Sequence, residues 1–362
     1  MDLKHLLSSC KFIPAYLERK DAARNKLGPY AVELHWTSVC NYKCMHCSYG
    51  IRRKSLQSLS RQVIDSLVED LSAMKVKAVY LSGGGEPTVV HGWAEHAERL
   101  IDKGCELALI TNGVNIREKH LNVLRRFNYI AVSVYSDNEK VYSAITSGNA
   151  FDNQFRLPAL IKAGGKYPVV GARCVINKAN HKGIVSLYRR AISSGYDYII
   201  FIPVVDYEKR GIEIGEAELE SVKVLIDKHY RTFDFSRTNL DSLLKRNISH
   251  YERRDYRDDF AQPPAGCCAL DIRGNAFVNY DGGVYTCQPH IGREEYCIGN
   301  LNEERMSDIW NSKRHVAVIK ALNKEFSAGR CRNCRSIAFN KKADEFENSR
   351  DAVFEIVKDR FI

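Results

Sequence analysis

Short β-rich runs alternate with amphipathic stretches from about Tyr30 to Val205. The runs Ala31–Thr37, Ala78–Ser82, Glu106–Thr111, Tyr129–Tyr135, Val169–Ile176 and Tyr198–Val204 have the length and make-up of β-strands. Between the first two, Val63, Ile64, Leu67, Val68, Leu71 and Met74 recur at helical spacing. Between the last two, Ile184, Leu187, Tyr188, Ala191 and Ile192 repeat that spacing, and Gly195 sits where a helix C-cap belongs. Strands separated by helices pair in parallel, so the pattern predicts an α/β chain. The sheet is either open and doubly wound or a partial or full barrel, and both place the active site at the C-terminal strand ends. The unusual residues fall there: Cys40 to Cys47 after the first strand, Gly83 to Pro87 after the second, and Asn112-Gly113 after the third.

A helix from about Glu216 to Tyr230 follows, then a polar stretch rich in Arg, Asp and Tyr, and Gln262-Pro263-Pro264 marks a boundary. Beyond it, Ala276–Tyr280, the turn Asp281-Gly282-Gly283 and Val284–Cys287 read as a β-hairpin. A helix spans about Met306 to Leu322. The expected organisation is an N-terminal extension (1–29), a barrel (30–235), a linker with helical character (236–264), a small cysteine-bearing domain (265–340) and a C-terminal tail (341–362).

Composition narrows the class. With 362 residues, 44% of them hydrophobic, the chain can bury a substantial core, and no low-complexity tract points to disorder or fibres. The longest apolar run, around Tyr198 to Val205, is too short to cross a bilayer. The start Met-Asp-Leu-Lys-His lacks the pattern of a secretory signal, so a cytoplasmic protein with no membrane partner is expected. The formal charge of +10 suits an anionic ligand, a nucleic acid or an acidic protein without naming one. A basic-aromatic stretch through Lys245, Arg246, His250, Tyr251, Arg253, Arg254, Tyr256 and Arg257 keeps nucleic acid open as a partner. The acids Glu252, Asp255, Asp258 and Asp259 dilute it, and a solvated helix face is the plainer reading.

Twelve cysteines carry the chemistry. In a reducing compartment, closely spaced thiols are ligands or catalytic groups more often than disulfides. Cys105 and Cys174 lie in strand-like runs and read as small buried hydrophobes. Cys40, Cys44 and Cys47 form a Cys-x3-Cys-x2-Cys array. Three such thiolates can hold a four-iron cluster with one iron open, or a zinc ion with His46 or His35 as fourth ligand. The next loop, Ser82-Gly83-Gly84-Gly85-Glu86-Pro87, exposes backbone amides and carbonyls, and Glu86 suits an ammonium group. Together the two loops describe a cluster with an open iron beside a pocket for an amino acid.

On these residues the chain resembles the radical S-adenosylmethionine superfamily. Cys40, Cys44 and Cys47 match its defining array, with His46 in the usually aromatic slot, and Gly84, Gly85 and Glu86 match its Gly-Gly-Glu motif. The resemblance covers roughly residues 30 to 205 and implies a partial (β/α)6 TIM-like barrel. It also implies that the amino and carboxylate groups of S-adenosylmethionine bind the open iron of a [4Fe-4S] cluster. Gly84, Gly85 and Glu86 would hold the amino group, with Ser133 and Arg173 near the ribose or carboxylate. An electron from a flavodoxin- or ferredoxin-type donor would then yield a 5′-deoxyadenosyl radical that removes a substrate hydrogen atom.

The later cysteines resemble the Twitch form of the SPASM auxiliary-cluster domain: Cys267-Cys268, Gly282-x4-Cys287 and Cys331-x2-Cys334. That resemblance implies a second, auxiliary [4Fe-4S] cluster on Cys268, Cys287, Cys331 and Cys334, with Cys267 competing for the first position. Spacing alone leaves zinc open there. Cys297 is left over, either as packing or as a hydrogen-atom donor that would turn oxidation into epimerisation. About thirty residues precede the first strand, which leaves no room for an N-terminal peptide-binding domain. The expected substrate is therefore a small polar molecule of sugar, aminocyclitol or nucleotide type, by analogy with a Twitch-bearing aminocyclitol dehydrogenase. A nucleic-acid-borne base or a peptide is the alternative, and a non-catalytic zinc-stabilised binding protein the remote one.

Overall fold

Six parallel strands follow one another in sequence order across the sheet: β1 (Ala31–Leu34), β2 (Ala78–Leu81), β3 (Glu106–Thr111), β4 (Tyr129–Ser133), β5 (Val169–Ile176) and β6 (Tyr198–Pro203). The computed structural model describes residues 28–52, 55–163, 168–206, 209–244, 267–331, 336 and 340. The N-terminal extension, the basic-aromatic stretch, the Pro-Pro boundary and the tail lie outside the described residues. A doubly wound sheet reverses its strand order at a switch point. Here the order never reverses, so the wall curls one way as a partial barrel.

Alternation along each strand separates two surfaces. Val32, Leu34, Val79, Leu81, Leu107 and Leu109 join the main core with helices Arg61–Ala73 and Trp93–Asp102. The opposite face carries Ala31, Ala78, Ala108 and Ala131, small enough to leave space, with Tyr80, Tyr129 and Tyr198. Gly171 belongs to this face, since a Cβ there would lie 2.2 Å from the Tyr198 ring. The sequence-predicted helices appear at Arg61–Ala73, where the Ser60 hydroxyl accepts from Val63 N, at Ile184–Ser193 and at Glu216–Lys228. Helices Glu139–Thr146 and Asn153–Lys162 escape so simple a pattern, the latter carrying Pro158 inside it.

The hairpin also forms, from β7 (Asn275–Val278) and β8 (Gly283–Tyr285), and a short β9 (Gly299–Asn300) pairs with it. Its placement is new: β7 pairs in parallel with β1, so the second cysteine-bearing region extends the barrel's own sheet to nine strands. Gly282 turns the hairpin at φ +87°, and a Cβ there would meet Asn300 Oδ1 and Asn302 Nδ2 at 2.4 Å. The single helix expected from Met306 is two, Met306–Trp310 and Lys313–Ser327, because the Ser312 hydroxyl accepts from His315 N and starts a second helix. Asp70, on helix Arg61–Ala73, ties this region to the barrel. Its carboxylate accepts from Arg305 Nη2 at 2.6 Å, from Arg305 Nε, and from Met306 N at 2.9 Å.

Candidate active site

One cavity of about 470 Å³ is lined by both cysteine groups: Cys40, Cys44 and Cys47 from the first, and Cys267, Cys287 and Cys331 from the second. The first loop hangs from the end of β1. Lys43 N and Met45 N donate to Thr146 O and Ile145 O, and the Tyr42 hydroxyl meets that of Tyr142 at 2.8 Å. Backbone N–H groups of Tyr42 and Gly50 point at Cys40 Sγ and Cys47 Sγ, 3.4 and 3.1 Å away.

The glycine run has a steric reason beyond ligand access. A Cβ on Gly83 would meet His35 Nε2 at 2.1 Å, on Gly84 the Thr37 carbonyl at 2.4 Å, and on Gly85 the Val39 carbonyl at 2.0 Å. The run therefore lies directly against the segment that leads into the cysteines, and Glu86 N donates to Val39 O to fix it there. Glu86 itself is deeply buried, and its carboxylate accepts from Thr88 N, Thr88 Oγ1, Thr111 Oγ1 and Asn112 N. Burial pushes its pKa up while these four donors pull it back. Three of these donors share Oε1 and only Asn112 N reaches Oε2, so Glu86 joins the second and third strand ends while Oε2 keeps an acceptor position. Asn112 also reaches the first loop through Nδ2 to Asn41 Oδ1 at 2.7 Å, and it lines the cavity. A Thr-Asn-Gly turn explains itself locally, which is why the sequence did not single this residue out.

Ser133 and Arg173 are register partners on β4 and β5, and both line the cavity. Burial alone would lower the Arg173 pKa, but the phenols of Tyr129, Tyr198 and Tyr80 around it hold it up. Buried polar atoms on lining residues remain unpartnered: Arg173 Nε, His46 Nδ1 and Thr286 Oγ1. His46 packs on Tyr135 with ring centroids 4.6 Å apart, and burial pushes its pKa down to about 4, so it is neutral. A buried guanidinium, glycine-run backbone and orphaned polar atoms fit a zwitterionic ligand such as S-adenosylmethionine.

Among the described residues no three His, Cys, Asp or Glu side chains converge as one metal ion requires. His35 Nε2 lies 2.8 Å from Glu33 Oε1, while its buried Nδ1 meets no partner among the described residues. At the second site Cys267, the competitor of Cys268 for the first ligand position, lines the cavity with Cys287 and Cys331. Cys268 opens the short helix Cys268–Asp271, and its side chain, like all of Cys334, lies outside the described residues. Cys297 is not brought to the cavity; its thiol donates to Gly299 O at 3.2 Å. Cys105 and Cys174 are buried, as expected of small hydrophobes.

Sequence comparison places these features. The profile of the radical SAM superfamily matches residues 34–191, and that of an iron–sulfur cluster-binding domain, SPASM, matches residues 267–335. The chain belongs to the radical S-adenosylmethionine superfamily and carries a SPASM domain. Its cofactors are S-adenosylmethionine and [4Fe-4S] clusters. Among curated relatives it is 21% identical to the tungsten-containing aldehyde ferredoxin oxidoreductase cofactor-modifying protein of Pyrococcus furiosus, over 83% of this chain and 86% of the relative. It is 24% identical to mycofactocin maturase MftC of Mycolicibacterium smegmatis, over 91% and 80%. It is 23% identical to a cysteine-type anaerobic sulfatase-maturating enzyme of Clostridium novyi, over 88% and 90%. Streptococcus suis SuiB bound to its precursor peptide SuiA shares the fold, with a TM-score of 0.61 at 16% identity over 90% of this chain and 75% of SuiB. No described helix is long and apolar enough to cross a membrane.

Proposed function

We propose that this radical SAM enzyme is a maturase that oxidatively modifies a residue of a peptide or protein. The observation that carries this reading is the single cavity shared by the two cysteine groups, in a chain that aligns along most of its length with maturases. The first cluster and S-adenosylmethionine, when bound, supply a carbon radical that removes a hydrogen atom from an unactivated C–H bond. Cys40, Cys44 and Cys47 would hold that cluster. The Gly84-Gly85 backbone and Glu86 Oε2 would receive the ammonium group, and Arg173 with Ser133 would receive the carboxylate. Cys287, Cys331, Cys334 and one of the Cys267-Cys268 pair would hold the auxiliary cluster.

Glu33, Tyr49 and Gln288 give the cavity a polar wall where the barrel meets the hairpin. Gln288 Nε2 lies 3.3 Å from both Glu33 carboxylate oxygens and 3.3 Å from the Tyr49 hydroxyl. These groups would orient substrate polar atoms between the two cysteine groups. A small polar substrate was expected because little chain precedes the first strand. The relatives that align along most of this chain favour the peptide alternative instead.

The test is to reconstitute the chain anaerobically with iron and sulfide, then supply S-adenosylmethionine and a reductant. A peptide library, a panel of sugars and aminocyclitols, and a panel of nucleotides are tried in parallel. Peptides that lose hydrogen by mass, with matching 5′-deoxyadenosine, are the expected result. Turnover confined to the sugars, aminocyclitols or nucleotides would overturn the reading.

A further inference from the structure

We propose that Cys267 is the first ligand of the auxiliary cluster and that Asn340 is a positioning residue whose side-chain amide raises that cluster's reduction potential. This rests on reading the second cysteine group as a cluster site. Cys267 is fixed at its backbone from two directions. Its N–H donates to Asn323 Oδ1 at 2.8 Å, and its carbonyl accepts from Leu270 N and Asp271 N. Asn323, on helix Lys313–Ser327, is itself aimed by a bond from Nδ2 to Asp271 Oδ1 at 2.8 Å. The held thiol faces the cavity that Cys287 and Cys331 also line.

Asn340 is wholly buried and meets that sulfur. Its Oδ1 accepts from Ala269 N at 3.0 Å, which settles which end of the amide is oxygen. Its Nδ2 therefore donates to Cys267 Sγ at 3.2 Å, and Oδ1, at 3.6 Å, can also accept from that thiol. A metal-bound thiolate has no proton to give, so of these two contacts only the Nδ2 donor remains once the sulfur is a ligand. The close group here is the donor. Hydrogen bonds to cluster sulfurs stabilise the reduced, more negative state and so raise the potential.

The test uses the full chain with Cys40, Cys44 and Cys47 replaced by Ala, reconstituted so that only the second site loads. Iron is counted, and the midpoint potential is read by EPR during a redox titration. Cys267→Ala is expected to lose the iron and Cys268→Ala to keep it; the opposite pattern overturns the ligand assignment. Asn340→Asp keeps an oxygen for Ala269 N and replaces the donor at the sulfur by an acceptor. Asn340→Leu removes the donor without adding charge. Both are expected to keep iron and to show a lower midpoint potential than the parent. A loaded variant with the parent's potential overturns the role of Asn340. If the parent itself takes up no iron at this site, the cluster reading fails, and the proposal fails with it.

Discussion

The two cysteine groups face one cavity but are built in opposite ways. Cys40, Cys44 and Cys47 sit within a single loop, held by the glycine run pressed against it and by Glu86 bridging two strand ends. Cys267, Cys287 and Cys331 come from three separate segments, brought together by the β1–β7 pairing and by Asp70 gripping Arg305 and Met306 N. The first group is a local structure and the second a tertiary one. Local sites are broken by changes at the loop itself, and tertiary sites by changes far from any cysteine.

The largest expected effect separates the two groups outright. On the proposed ligand assignment, Cys44→Ala should abolish 5′-deoxyadenosine formation while second-site iron is retained. Cys287→Ala should do the reverse, keeping first-site iron and the ability to cleave S-adenosylmethionine but losing modified product. Iron counting together with chromatography of the cleavage product checks both. If Cys287→Ala abolished cleavage as well, the groups would not be separable in this way. Next comes Gly85→Ala, which touches no cysteine. Its Cβ would lie 2.0 Å from Val39 O and 2.6 Å from Val39 C, both backbone atoms that cannot swing aside. First-site iron should fall several-fold, with second-site iron unchanged.

The same contrast explains what the sequence made legible. Six strands, three helices and the hairpin follow from local periodicity and turn residues, which act over a few positions. The first site was legible because its residues are neighbours whose spacing is itself the chemistry. The parallel pairing of β7 with β1 was not, because Asn275–Val278 and Ala31–Leu34 are far apart in sequence and nothing in either run names its partner. Glu86 was recognised as part of the site, but a sequence cannot reveal that Thr88, Thr111 and Asn112 engage its oxygens. The proposed choice of Cys267 over Cys268 likewise rests on Asn323 and Asn340, residues with no motif. The expectation of a small polar substrate rested on chain length alone, whereas the maturase relatives favour a peptide.

A tertiary site also predicts a smaller effect at a distance. Asp70→Ala leaves the buried Met306 N–H without its acceptor, which costs about 2 kcal/mol. The chain should denature at a lower urea concentration, and second-site iron should be lost before first-site iron on gentle heating. Equal loss from both groups would mean that Asp70 supports the barrel as a whole.

The smallest effect concerns pH and belongs to the second region alone. His315 is buried with Nδ1 2.7 Å from Trp310 O and Nε2 unpartnered, and burial lowers its pKa from 6.5 to about 4. The Trp310 carbonyl opposes that shift and Arg273 adds to it. In the unfolded chain the ring takes a proton near its ordinary pKa, whereas in the folded chain it stays neutral until about pH 4. Stability is therefore complete above the ordinary value, declines as the pH falls through the window between 6.5 and about 4, and levels off below it. Over the first pH unit below neutrality the loss is on the order of 1 kcal/mol. His315→Phe keeps a ring against Trp310, gives up one hydrogen bond, and has nothing to titrate. It should melt lower at neutral pH but show a shallower decline on mild acidification. Melting curves at about pH 7 and pH 6 on both proteins decide the point, since parallel declines would place the acid sensitivity in some other group.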